Sequence, residues 1–168
     1  DECPAAHLCR YFVKGDIRDH DTVYEFGKSL DAITIEIENV NIDALEKLEN
    51  EGVSIYPKPS VLRIIKNKVL QKQYYLSHQI PTAAFAVLQS RKEMHQHTHL
   101  FPGVQKLAEG GYDGRGVQII ENIDSITSGF DELSVLEKKI QIKKEIAVII
   151  AIGQDGKIAF YPPVEMVF

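Results

Sequence analysis

Residues 104–120 read VQKLAEGGYDGRGVQII, a run of glycines that is followed by alternating apolar residues. Residues 110–116, the glycine loop, hold four glycines among seven residues, although glycine raises the entropy cost of folding and adds no side chain to a core. Such a loop lets backbone N–H groups approach a ligand closely. Lys106 precedes the loop and Arg115 lies inside it, so the expected ligand is an anion, with phosphate the leading candidate.

The glycine spacing matches neither of the two common nucleotide-binding loops. It does not spell G-x-G-x-x-G, and no Gly-Lys-Ser/Thr ending follows. Both common loops open a helix, whereas VQII at residues 117–120 alternates like a strand. The pattern therefore predicts a strand–loop–strand hairpin that folds down over a nucleotide, and an ordinary glycine-rich hairpin is the alternative.

Composition and charge narrow the class of protein. The 168 residues include 44% hydrophobic and 26% charged residues, and the net charge of −5 argues against general nucleic-acid binding. Without a membrane-length apolar run or a secretory signal, we expect no membrane association, a cytoplasmic location and reduced thiols at Cys3 and Cys9. The missing initiator Met and the strand-like run at residues 161–168 predict a fragment of a longer protein.

Hydrophobic periodicity predicts an α/β layer followed by a strand-rich region. In the layer, the predicted strands are residues 11–13, 31–38 and 53–56, and the predicted helices are residues 19–30, capped by Asp19 or Asp21, and 41–52, capped by Asn41. A basic amphipathic pattern then predicts one continuous helix over residues 60–78. From Thr82 onward we expect a helix near residues 123–130, strands at 134–136, 145–152 and 157–161, and a hairpin turn at GQDG, residues 153–156.

A series of short segments runs through nearly the whole chain in the order of one family. They are ITIEIENV at 33–40, YPKP at 56–59, KVLQKQ at 68–73, IPTA at 80–83, QK at 105–106, the glycine loop, KEI at 144–146, DG at 155–156 and FYP at 160–162. Together they resemble the ATP-grasp ligases, and within them the carboxylating ligases of purine biosynthesis. The glycine loop after a lysine is the most specific of these segments.

The resemblance implies a mixed α/β and α+β fold, in which the end of a parallel-sheet pre-ATP-grasp domain precedes an ATP-binding subdomain. It divides the chain into a partial pre-ATP-grasp domain at residues 1–57, a helical connection at 58–81, an ATP-grasp lid subdomain with the glycine loop at 82–140, and the truncated start of a second ATP-grasp subdomain at 141–168.

The resemblance also implies a reaction. ATP and bicarbonate form carboxyphosphate, and the carboxyl group passes to the exocyclic amine of 5-aminoimidazole ribonucleotide. Because carboxyphosphate is unstable in water, the glycine loop is expected to act as a closing lid. The family uses Mg²⁺ to bridge the ATP phosphates, and a homodimer is expected.

Roles toward ATP follow from the resemblance, residue by residue. Lys106 and Lys68 reach the phosphates, residues 137–140 meet the adenine through their backbone, and Glu145 holds the ribose hydroxyls. From the residues alone, Lys68 is also consistent with a solvated surface group and Glu145 with a surface ion pair. The complete implied ATP-binding set is Lys68, Lys106, Gly111, Tyr112, Asp113, Gly114, Arg115, Gly116, Val117, Glu137, Lys138, Lys139, Ile140 and Glu145.

The resemblance also implies that the ribonucleotide substrate is bound by Glu36, Tyr112, Asp113 and Arg115. The guanidinium of Arg115 is suited to bidentate pairing with a phosphate or carboxylate. Glu36 and Glu38 are equally consistent with solvated charges at a strand end. No catalytic residue is assigned. The metal ligands are expected outside the printed sequence, so we expect this polypeptide alone not to turn over.

Other interpretations stay open at this point. HQHTH at residues 95–99 would place three imidazoles on one face of an extended strand, as a zinc site needs. A formate-using glycinamide ribonucleotide transformylase and a biotin carboxylase are the alternative enzymes, although their lid usually has a different sequence. A non-catalytic nucleotide-binding module is the alternative from another class.

Overall fold

A computed structural model describes residues 4–111, 115–153 and 155–167. The chain divides into two compact units, the first ending at Lys138 and the second beginning at Lys139. The first unit holds a small α/β layer, two linking helices and a four-stranded sheet, and the second holds two strand pairs. Within the described ranges, no helix combines the length and the apolar character needed to cross a membrane.

The α/β layer contains α1 (His20–Gly27), β1 (Ala32–Thr34), α2 (Ile42–Asn50) and β2 (Ser54–Tyr56). β1 and β2 pair in parallel, which confirms the parallel strand–helix–strand arrangement expected here. The two helices begin where the sequence predicts, because the side chains of Asp19 and Asn41 each accept a backbone N–H of the first turn. One apolar core joins these elements: Val23, Ile33, Val40, Ile42, Ala44, Leu45, Leu48, Val53, Ile55 and Leu62.

Two strand predictions in this layer are wrong. Residues 11–13 form no strand and their side chains are exposed. The strand expected over residues 31–38 is reduced to β1, with one further bond from the Ile35 N–H to the Tyr56 carbonyl at 2.9 Å. β2 ends at Tyr56, so its pairing with β1 does not extend to residues 36–38.

The continuous helix predicted over residues 60–78 is also wrong, because two helices stand there: α3 (Pro59–Lys66) and α4 (Lys68–Ser77). Asn67 between them has extended backbone angles, φ −110° and ψ 112°, and its side chain accepts the N–H groups of Val69 and Leu70. An asparagine that caps a new helix offers the backbone an alternative to continuing the old one.

A four-stranded antiparallel sheet follows, in the order β3 (Phe85–Leu88), β6 (Ser134–Lys138), β4 (Gly103–Leu107) and β5 (Val117–Ile120). β4 and β5 are neighbours, which confirms the hairpin predicted around the glycine loop. Short 3₁₀ helices cover one face of the sheet, at Arg91–Gln96, Thr98–Leu100 and Ile123–Ser128. The helix expected near residues 123–130 is therefore 3₁₀ rather than α.

The second unit contains β7 (Glu145–Ala147), β8 (Ile150–Ile152), β9 (Ile158–Phe160) and β10 (Val164–Met166). The single strand expected over residues 145–152 is wrong, because β7 pairs with β10 whereas β8 pairs with β9. The hairpin predicted at residues 153–156 is confirmed by the β8–β9 pairing, and Gly156 adopts the positive φ of +77° that such a turn requires.

Candidate functional site

The base of the glycine loop is a tight backbone contact. Lys106 lies opposite Val117 in the β4–β5 hairpin, and the Leu107 N–H donates to the Gly116 carbonyl at 2.9 Å. Gly116 has a φ of +75°, and a Cβ there would stand 3.0 Å from the Cα of Gly111. A side chain is therefore unfavourable at this position for both its backbone angle and its space.

The exposed side of the hairpin carries the other loop residues that the structure describes. Gly111, Arg115 and Val117 are exposed, so a ligand can approach their backbone. Tyr112, Asp113 and Gly114, which the sequence also assigns to ATP, lie outside the described residues.

One face of the sheet brings Lys106 next to Glu137. Val104 of β4 lies opposite Glu137 of β6, and Lys106 lies opposite Val135, so alternation places these four side chains on the same face. α4 packs on this face through Val69, which contacts a core formed by Ala108, after β4, and Val135 of β6, with Phe85 and Val87 of β3 beside them.

Lys72, Glu137 and Lys106 form an ion cluster at this packing surface. The ammonium of Lys72 lies 2.9 Å from Oε2 of Glu137, and that of Lys106 lies 3.0 Å from Oε1. The side chains of Lys72 and Glu137 are 8% and 11% exposed, whereas that of Lys106 is 33% exposed. The outer lysine is therefore open to solvent, while the inner lysine is enclosed.

Lys72 has further contacts inside the cluster. Its ammonium also donates to Oγ1 of Thr82 at 2.5 Å and lies 5.6 Å from the centre of the Phe85 ring. Burial of Glu137 raises the pKa of its carboxyl, but the hydrogen bonds and charges of Lys72 and Lys106 outweigh burial and lower the pKa overall. The carboxyl is thus ionised at neutral pH, and the cluster has one net positive charge.

Lys68 lies at the beginning of α4, close to the end of β4. Its backbone N–H donates to the Ala108 carbonyl at 2.8 Å, and the Asn67 side-chain amide donates to Glu109 at 2.8 Å. These two bonds fix the beginning of α4 beside the strand that carries Lys106. Because Lys68 and Lys72 are four residues apart on one helix, they lie on the same side of α4.

The side chain of Lys138 has a structural partner in the described chain. Its ammonium donates to the carbonyl oxygen of Phe101 and to that of His99 at 3.4 Å. Lys139, Ile140 and Glu145 belong to the second unit, where Ile140 and Glu145 are exposed and Glu145 opens β7.

Glu36 lines a cavity of about 310 Å³ in the α/β layer. Most of its walls are apolar, from residues such as Ile17, Phe26 and Ile37. The cavity lies just after β1, where a parallel strand ends, which is the usual position of ligands in open α/β sheets.

The histidine-rich segment does not form the extended strand that a three-imidazole zinc face would need. Residues 91–100 form two short 3₁₀ helices instead, and the rings of His97 and His99 stand 6.1 Å apart, edge to face. Among the residues that the structure describes, no three metal-ligating side chains lie close enough together to hold an ion.

Sequence reasoning missed Lys72. The basic amphipathic pattern over residues 60–78 assigned it no role, yet it is buried. The available signal was its position three residues after the buried Val69, which puts it on the apolar side of the helix. A lysine there needs a buried carboxylate partner, and the sequence gives no indication that this partner is Glu137.

Comparison with known proteins agrees with this architecture. Residues 1–66 match the model of the ribonucleotide synthetase preATP-grasp domain, and residues 73–167 match that of the ATP-grasp domain. The phosphoribosylaminoimidazole carboxylase of Vigna aconitifolia, a chloroplastic protein, is 37% identical over 99% of this chain. The chain spans 31% of the length of that relative.

Two solved structures extend the similarity to three dimensions. A carboxyaminoimidazole ribonucleotide synthase of Aspergillus clavatus complexed with ATP is 29% identical and covers all of this chain, which spans 46% of that protein, with a TM-score of 0.88. A second structure of the synthase from that organism, in complex with ADP and 5-aminoimidazole ribonucleotide, has 26% identity, the same coverage and a TM-score of 0.85. Since the ATP-grasp model accounts for more than half of the chain, this protein belongs to the ATP-grasp family.

Proposed function

We propose that the native protein carrying this chain is an ATP-dependent ligase that carboxylates 5-aminoimidazole ribonucleotide with bicarbonate in purine biosynthesis. One observation supports this most strongly: the chain matches, over its whole length, a synthase solved with ADP and 5-aminoimidazole ribonucleotide. The chain spans less than half of that synthase, so the proposal concerns the whole protein rather than this part alone.

The ion cluster and the glycine loop support ATP as the ligand. Lys106 projects a partly exposed ammonium beside the loop, and Lys68 begins the adjacent helix. Backbone N–H groups of the glycine loop and the guanidinium of Arg115 would add donors for phosphate oxygens. The backbone of residues 137–140 would form hydrogen bonds with the adenine, and the carboxylate of Glu145 would accept hydrogen bonds from the ribose hydroxyls.

The proposed chemistry needs a closed site. An oxygen of bicarbonate attacks the γ-phosphorus of ATP, the bond to ADP breaks, and carboxyphosphate forms. The exocyclic amine of 5-aminoimidazole ribonucleotide then attacks the carboxyl carbon, and phosphate leaves. A glycine loop folded over the phosphates would exclude water that otherwise hydrolyses carboxyphosphate.

Mg²⁺ would neutralise phosphate charge in this reaction. Its ligands are proposed to lie outside the printed sequence.

The ribonucleotide would be held by Glu36, Tyr112, Asp113 and Arg115. Glu36 is the most distinctive of these, because it stands at the wall of a cavity at the end of a parallel strand. We further propose a cytoplasmic homodimer that binds neither nucleic acid nor membranes.

Phosphate release from ATP by the native protein tests the proposal. Release should require both bicarbonate and 5-aminoimidazole ribonucleotide, and the ribonucleotide product should contain carbon from labelled bicarbonate. Release that instead requires formate with glycinamide ribonucleotide, or biotin with bicarbonate, would assign another ATP-grasp reaction. ATP binding without release under any of these conditions would identify a non-catalytic nucleotide-binding protein.

A further inference from the structure

The cluster of Lys72, Glu137 and Lys106 contains a carboxylate shared between two lysines of very different exposure. Glu137 uses one oxygen for each ammonium, at 2.9 Å for Lys72 and 3.0 Å for Lys106. The side chain of Lys72 is 8% exposed, so an arriving ligand does not reach it, whereas Lys106 is 33% exposed. Lys106 can therefore contact a ligand directly, whereas Lys72 can act only through Glu137.

The enclosed lysine has an electrostatic consequence for the exposed one. Alone with Lys106, the carboxylate of Glu137 would form a one-to-one ion pair of zero net charge. A phosphate would then compete with a buried carboxylate for the one ammonium left in this cluster, and such a pair is costly to separate at low dielectric. With Lys72 in place, the carboxylate is neutralised from inside and one positive charge is left at the open side.

The contacts of Lys72 keep it in this position. Its ammonium donates a hydrogen bond to Thr82 in addition to its ion pair with Glu137, and the Phe85 ring lies on another side of it. α4 itself is fixed to the end of β4 by the bond from the Lys68 N–H to the Ala108 carbonyl. The inner lysine, the carboxylate and the outer lysine thus sit on elements that are packed together.

We propose that Lys72 is a positioning residue that neutralises Glu137 and so leaves the positive charge of Lys106 available to the phosphate groups of ATP. This inference rests on the proposed nucleotide site and deepens it. Lys72 acts through Glu137 and does not touch the nucleotide.

The test compares nucleotide affinity in the native protein and three variants by isothermal titration, without bicarbonate or ribonucleotide. Lys72→Met takes the net charge of the cluster from one to zero, and we expect it to raise the Kd for ATP by about tenfold. The double variant Lys72→Met/Glu137→Gln returns the net charge to one and keeps the backbone of residue 137, through which the adenine contact is proposed. It should bring the Kd to within about threefold of the native value. Lys66→Met is the matched control, because it removes a lysine of α3 whose ammonium donates to the Val40 carbonyl.

Adenosine separates positioning from general structural damage. It has no phosphate, so its Kd should be the same in the native protein and in Lys72→Met. An equal loss of ATP and adenosine affinity would mean that Lys72 is only structural, and the proposal would be overturned. An unchanged Kd for ATP in Lys72→Met, or a double variant as weak as the single one, would also overturn it.

Two further outcomes are decided by the same titrations. If Lys72→Met does not fold, the double variant decides alone: near-native ATP affinity supports the proposal, and a loss beyond about tenfold contradicts it. If native protein and variants behave as expected but no carboxylation is found, the proposed reaction fails while the role of Lys72 stands.

Discussion

At the scale of single residues, Gln105 is a fully buried amide in the centre of the four-stranded sheet. Its side chain donates to the Phe130 carbonyl and to Oγ of Ser134, and it accepts the Phe130 N–H at 2.7 Å. We expect Gln105→Leu to lower the free energy of unfolding by about 2 kcal/mol, because it removes the partner of the buried Ser134 hydroxyl and of the half-buried backbone groups of Phe130. Urea denaturation measures this loss.

The matched control for this change is Gln118→Leu on the neighbouring strand β5. The Gln118 amide donates only a long bond of 3.3 Å to the adjacent Ile119 carbonyl. Its replacement should change the free energy of unfolding by less than about 0.5 kcal/mol. Equal effects of the two changes would mean that the bonds to Phe130 contribute little.

Glu137 makes stability depend on pH in a defined direction. Burial raises its pKa, but Lys72 and Lys106 lower it overall, so the folded pKa lies below the unfolded value of about 4.3. The contribution of the ionised Glu137 to stability is therefore complete at a pH above its unfolded pKa, and it is lost as the pH falls through its folded pKa. We expect Glu137→Gln to cost about 3 kcal/mol at pH 7, because it leaves the buried Lys72 without a counter-charge.

Urea denaturation of the native protein and of Glu137→Gln at pH 7, 5, 4 and 3 checks this expectation. The difference in unfolding free energy should be the same at pH 7 and 5 and should shrink at lower pH. Glu132→Gln, at an exposed carboxylate of the same unit, should stay within about 0.5 kcal/mol of the native protein. A difference for Glu137→Gln that grows on acidification contradicts the assigned sign.

At the scale of elements, the hairpin of β4 and β5 allows backbone strain to be separated from crowding. Gly110 and Gly116 both have a positive φ, +77° and +75°, but only Gly116 has atoms near an added Cβ. Alanine at either position costs roughly 1 kcal/mol for the backbone angle. Gly116→Ala must also move Gly111, from which the Cβ would be 3.0 Å distant.

We therefore expect Gly116→Ala to weaken ATP binding by roughly tenfold, since it shifts the loop at its base, and Gly110→Ala to weaken it by less than about threefold. Titration of ATP into both variants measures the difference. Adenosine binding serves as the control for the rest of the site, and it should be unchanged in both. Indistinguishable ATP affinities would argue against a role of the hairpin base in placing the loop.

Helices and strands are predictable from the sequence where their signals are local, and less so where they depend on a partner segment. The hairpin is predictable because alternation and a glycine cluster are local signals. The break at Asn67 is local too, yet the amphipathic pattern on both sides hid it, although an asparagine that caps α4 is a strong signal in retrospect. The truncation of β1 was not predictable from its own residues, because a strand ends where its partner ends, and β2 ends at Tyr56.

At the scale of the whole molecule, the site depends on contacts between distant parts of the sequence. The family resemblance predicts roles toward ATP for Lys68, Lys106 and the glycine loop from the order of the motifs, and the structure places the beginning of α4 beside the end of β4. The partnership of Lys72 with Glu137 joins residues 65 positions apart, and no periodicity in either segment reveals it. A lysine can be buried only where a carboxylate lies close enough to pair with it. The packing of distant segments determines which carboxylate that is.

Ligand binding should stabilise the molecule by an amount set by the ratio of the free ligand concentration to its Kd. ATP at a hundred times its Kd should raise the free energy of unfolding of the native protein by about 2.7 kcal/mol, since it binds the folded state alone. In Lys106→Met, the same ATP concentration should give a smaller increase, because the exposed ammonium beside the glycine loop is gone. Adenosine at a fixed concentration should stabilise both proteins equally, because it has no phosphate for Lys106 to contact.

Urea denaturation with each ligand measures the four values. Equal stabilisation of Lys106→Met and the native protein by ATP would show that Lys106 does not contact the phosphates, and it would move the phosphate site away from the base of the β4–β5 hairpin.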